Sequence, residues 1–129
     1  MDNMFRGCRA ITRLPLLNTS RVTIMSYMLS YCTELSSIDE LDMLNVTSAD
    51  SMLLYNYGIR ICHIKNLRSS IEINKTPFLE KESLVYMIQN AAPTSEITIK
   101  LSSYCYDKYK ADPDVVAALA NQPLVSLTR

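Results

Sequence analysis

Glycine is nearly missing from this chain: Gly7 and Gly58 are the only two among 129 residues. Tight hairpins and phosphate-cradling loops draw on glycine's access to positive φ, so both are hard to build here and helices are the natural expectation. Tryptophan is absent and histidine occurs once, as His63. One histidine rules out an H-E-x-x-H metal pair. There is also no glycine-rich nucleotide loop and no G-x-S-x-G elbow. Flanked by Cys62 and Ile64, His63 has no nucleophile at a recognisable spacing. No catalytic residue and no enzyme activity is expected from these parts.

Cys8, Cys32, Cys62 and Cys105 are scattered, with no C-x-x-C pair, so no metal site is expected. Their apolar settings suit reduced thiols, and hence an intracellular, reducing compartment, cytoplasmic or mitochondrial matrix. The matrix enters because MFRGCRAITRLPLLNTSR is arginine-rich and hydroxyl-containing, as mitochondrial presequences are. No uncharged run approaches the ~20 apolar residues of a transmembrane helix. No repeat period and no low-complexity segment is visible.

What is present is ordinary in amount and unusual in arrangement. Hydrophobic residues make up 48% of the chain and charged residues 20%, which suits one folded domain. The formal net charge is zero, which makes nucleic acid an unlikely partner, since phosphate binding needs a cationic surplus. The charge is nevertheless sorted. Between Asn3 and Thr33 stand Arg6, Arg9, Arg13 and Arg21 with no carboxylate, and between Val22 and Ile59 stand Glu34, Asp39, Glu40, Asp42 and Asp50 with no lysine or arginine. Such sorting orients partners.

Apolar spacing of three and four predicts five helices. Val22, Met25, Met28, Leu29, Cys32 and Leu35 predict the first, capped by Thr19 or Ser20 and ending near Ser36. Residues 37–45 read as an acidic loop or short turn anchored by Ile38, Leu41 and Leu44. The T-x-x-D pattern Thr47 to Asp50 predicts the start of a long helix through Leu53, Tyr57, Ile61, Ile64 and Leu67. Gly58 inside it predicts a close helix crossing. Ile71 to Ile73 read as a short extended piece. Thr76-Pro77 opens the third helix, through Ile88, and Thr94 the fourth, through Ile97, Leu101, Tyr104, Cys105 and Lys108. Asp112-Pro113 caps the fifth, with Val115, Val116 and Leu119 inward, and Asn121 and Pro123 stop it.

Asp50-Ser51-Met52 resembles the attachment motif of the phosphopantetheine carrier proteins, and Leu79, Ser83 and Leu84 resemble the residues that open their last helix. The resemblance spans roughly Ser20 to Asn90. It implies a four-helix bundle with phosphopantetheine on Ser51, as an alternative to a chain without any cofactor.

The sequence therefore predicts an all-α bundle of about five helices: an N-terminal arm over 1–18, a helical domain over 19–123 and a tail over 124–129. The expected role is a non-catalytic interaction module, adaptor or structural subunit, whose partners are other protein subunits or a second copy of itself. The residues expected to meet a partner are Arg6, Arg9, Arg13, Arg21, Asp39, Glu40, Asp42, Tyr106 and Tyr109. Amphipathic aromatics outside a core favour interfaces.

Overall fold

The computed structural model describes all 129 residues, and it is not a helical bundle. In chain order come β1 (Ser37–Asp42), β2 (Ile61–Lys65), β3 (Ile71–Ile73), α1 (Lys81–Gln89), β4 (Ile97–Leu101), α2 (Ser103–Tyr109), α3 (Pro113–Ala120) and β5 (Val125–Thr128). All the strand pairs are parallel, β1 with β2 and β3–β4–β5 in a second sheet. The fold is mixed α/β, which corrects the all-α expectation.

A repeat runs through it. Asn3, Tyr27 and Ser51 all have positive φ at 57°, 56° and 52°, and so do Gly7, Tyr31 and Tyr55 at 74°, 62° and 61°. Each of these two series advances by 24 residues, the separation also seen in the hydrogen bonds Ser36 Oγ to Thr12 O and Thr47 Oγ1 to Thr23 O. Toward the C-terminus the step lengthens to 28, as between Thr98 and Ser70. The chain is thus wound in stacked coils, about 1–24, 25–48, 49–70, 71–96 and 97–124, closed by β5. In such a solenoid no coil buries its apolar side alone, and stacking supplies the core.

Local geometry explains why the first two expected helices are absent. Met28 N donates to Met25 O, Ser30 N to Tyr27 O, Cys32 N to Leu29 O and Leu35 N to Cys32 O, each closing a three-residue step. Successive turns of this kind set apolar residues three apart, as a helix does. Positive φ at Tyr27 and Tyr31 interrupts helical propagation at each step, at a cost of roughly 1–2 kcal/mol per L-residue. The amides between turns then point along the solenoid axis, giving Met25 N to Ser48 O at 2.9 Å, Tyr27 N to Asp50 O at 3.0 Å and Leu29 N to Met52 O at 3.1 Å.

The opposite side carries β1, β2, α1 and α3 in succession. A register shift between Ile38 and Leu41 lets two inward residues stand three apart within a strand, so the acidic stretch expected as a loop is β1. In β4, Ile97, Ile99 and Leu101 face inward in the alternation of a strand. The C-terminal half is closer to expectation. Ile71–Ile73 is extended, α1 covers most of the third expected helix, and Asp112 caps α3 by accepting from Asp114 N. Val116 is exposed on α3 rather than inward. Residues 1–18 belong to the first coil, with Phe5 N bonded to Met28 O, and residues 125–128 of the expected tail form β5.

The core is one cluster of 32 buried residues running the length of the stack. Gly58 is a close approach, though to a coil and not to a helix: a Cβ there would lie 3.3 Å from the Leu35 carbonyl oxygen. No helix is long and apolar enough to cross a membrane.

Candidate partner-binding face

Five residues other than glycine have positive φ on the ladder side, Asn3, Tyr27, Tyr31, Ser51 and Tyr55, all at least partly exposed, and three of the five are tyrosines. Tyr31 and Tyr55, one coil apart, have ring centroids 4.8 Å apart, and Tyr57 continues the row 6.2 Å beyond Tyr55. Arg6, in the first coil, lies 5.3 Å from the Tyr27 ring and 5.8 Å from Tyr31. Its guanidinium meets no carboxylate and only Asn3 Oδ1 at 3.4 Å. Arg6, Tyr27, Tyr31, Tyr55 and Tyr57 therefore form one aromatic and cationic strip across three coils. Tyr27, Tyr31 and Tyr57 are 38%, 39% and 49% exposed, enough to offer their faces to a second molecule.

Of the expected partner residues Arg6 lies on this strip, and the others are dispersed over other surfaces. Arg13 binds Asp39 while its side chain stays largely exposed; Ser37 Oγ donates to the same carboxylate, and the hydrogen bonds from Ser37 and Arg13 hold the Asp39 pKa below the usual range. Glu40 accepts from Lys65 Nζ at 2.6 Å, and that contact pushes the lysine's pKa up. Asp42 accepts from Leu44 N at 3.0 Å and from Asn66 Nδ2 at 2.9 Å. These three carboxylates tie neighbouring coils together. Arg9 and Arg21 are exposed. Tyr109 is buried, its hydroxyl donating to Leu79 O at 2.7 Å, and desolvation raises its pKa. Tyr106 is half-buried against the core with Lys110 and Arg129 over its ring, whereas Tyr104 is 63% exposed.

Ser51 does not open a helix. Residues 51–55 are turns, and Ser51 has positive φ on the rim of a cleft of about 300 Å³ that Asp50, Ser70, Glu72, Thr98 and Lys100 help to line. A second hollow, about 500 Å³, lies between α1 and α3. Lys81 at its edge is engaged by Asp114 at 2.9 Å and Asp112 at 3.6 Å, and His63 stacks on Tyr86 at 4.7 Å. All four cysteines are free thiols, and burial pushes Cys62 up to about 12.

The tyrosine strip was readable in principle from the recurrence of tyrosine at 31 and 55, once a step of 24 is known. Hydropathy gives no hint of it, because the strip is made by outward residues. No family model, curated protein or solved structure matches this chain.

Proposed function

We propose that this protein is a non-catalytic recognition solenoid that binds an acidic segment of another protein on the strip from Arg6 to Tyr57. The observation that carries the reading is the unbroken run of contacts Arg6–Tyr27, Arg6–Tyr31, Tyr31–Tyr55 and Tyr55–Tyr57 on an outer face. Tyrosine offers a large contact area at low entropic cost, with a hydroxyl for hydrogen bonding, and such residues dominate binding energy at protein interfaces. An arginine without a carboxylate, set against two rings, selects for negative charge and planar groups. Stacked coils make an extended platform of this kind without a pocket.

A photo-cross-linking residue at Tyr57, with a control at Tyr104 on α2, tests the proposal in extracts of the native source. The expected product is a protein adduct at position 57 that disappears on Tyr27→Ala/Tyr31→Ala substitution and weakens with added salt. Equal adduct yields at 57 and 104, insensitive to the double substitution, contradict it.

A further inference from the structure

The structure assigns a ligand geometry to this face: we propose that the junction between the third and fourth coils takes an extended peptide segment as an added strand, an inference that rests on protein recognition by the tyrosine strip. The ladder is continuous on either side of this junction. Coils one to three are joined by bonds such as Phe5 N to Met28 O and Tyr31 N to Leu54 O, both 2.9 Å, and β3–β4–β5 form a parallel sheet. No hydrogen bond joins residues 48–57 to residues 69–78. The amides of Ala49, Ser51, Leu53 and Tyr55, which stand where Met25, Tyr27, Leu29 and Tyr31 stand one coil earlier, donate to no backbone carbonyl.

The coils part only on this face. Elsewhere they are held by Glu80 N to Arg60 O at 2.9 Å, Cys62 N to Ser83 Oγ at 3.0 Å, Asn66 N to Asn90 O at 2.7 Å and Ala92 N to Leu67 O at 3.0 Å. The opening is the cleft of about 300 Å³, with Ala49, Asp50 and Ser51 on one wall and Ser70, Ile71 and Glu72 on the other. One side-chain atom beside the cleft is also unpaired: Ser69 Oγ, next to Ser70 in the cleft wall, is buried without a hydrogen-bond partner. Buried polar groups are ordinarily satisfied, so this one adds an unmet group to the unbonded amides.

Backbone donors on every second residue need acceptors at the same spacing, which an extended peptide supplies and a compact ligand does not. Tyr55 carries both an unbonded amide of this junction and a ring of the strip, so a strand that starts in the cleft at 49–51 and pairs on to residue 55 passes beside the stacked rings.

Selection of short linear peptides from a display library on the full chain, followed by hydrogen exchange with a synthetic winner, tests this. Bound peptide should slow exchange at Ser51, Leu53 and Tyr55 by at least about tenfold. N-methylation of every second peptide amide should remove that effect, and Glu72→Trp, which fills the cleft from β3, should abolish binding without lowering Tm. Junction protection that survives Tyr27→Ala/Tyr31→Ala supports the added strand while refuting the tyrosine strip. Peptides that need those tyrosines but leave junction exchange unchanged overturn the added strand and retain the strip. A library that yields no binder, or slow junction exchange in the free chain, overturns it as well.

Discussion

Asn56 and Cys32 make the same bond one coil apart. Asn56 Nδ2 donates to Leu29 O at 2.8 Å, and Cys32 Sγ donates to Phe5 O at 3.0 Å, each side chain reaching 27 residues back. A buried polar side chain at this corner gives a second hydrogen bond to a carbonyl that already accepts from its own turn, Leu29 O from Cys32 N and Phe5 O from Cys8 N. Asn56→Ala should therefore cost about 0.5–1.5 kcal/mol, the usual net loss of one intramolecular hydrogen bond, since Leu29 O keeps its bond from Cys32 N. Asn56→Cys should lose much less, since it restores the donor and removes the unpartnered Oδ1. Urea titration of the two variants measures the difference.

Ser51 has positive φ, and its hydroxyl makes no hydrogen bond to hold it there. Ser51→Gly should stabilise the chain by up to about 1 kcal/mol, the relieved strain exceeding glycine's extra unfolded-state entropy. In a thermal melt the variant's Tm should rise by a few degrees; a fall would mean that the backbone there is not left-handed.

Gly58 has an ordinary φ but no room. With a Cβ 3.3 Å from Leu35 O and 3.6 Å from Thr33 O, a larger side chain forces the second and third coils apart. Gly58→Leu should destabilise by about 1–3 kcal/mol, as overpacking commonly does, and a shifted urea midpoint is the readout.

Thiol chemistry reports the stack directly. Cys8 is exposed, while Cys32, Cys62 and Cys105 are buried. Desolvation raises Cys32 and pushes Cys62 up to about 12, so neither supplies thiolate near neutral pH. Iodoacetamide at pH 8 should label Cys8 quickly and the other three only in denaturant. Rapid labelling of Cys32 would show that the first coil is not seated on the second.

The legible part of this fold was the part built from ordinary elements. Asp112-Pro113 ahead of an apolar stripe gave α3 its cap and its start, and Ile71–Ile73 was extended as its residues suggested. The N-terminal half was misleading for a physical reason. Met25, Met28, Leu29, Cys32 and Leu35 point inward at helical intervals because three-residue turns carry them there, with left-handed tyrosines between the turns. Two glycines are too few to supply such a backbone, and Asn3, Ser51 and three tyrosines adopt the conformation that glycine usually supplies. The repeat is hidden because its columns mix residue types: methionine with alanine at 25 and 49, cysteine with asparagine at 32 and 56. The candidate face was legible only in its arginine. The acidic residues expected to meet a partner bind their own chain, since β1 lies beside Arg13 and Lys65.

Site-resolved amide hydrogen exchange of the free protein tests the stacked-coil account most directly. The account predicts slow exchange at Met25, Tyr27, Leu29 and Tyr31, which donate to the next coil, and fast exchange at Ser51, Leu53 and Tyr55, which do not. Uniform protection running through 22–35 and 47–67, with a circular dichroism spectrum dominated by helix, would contradict it.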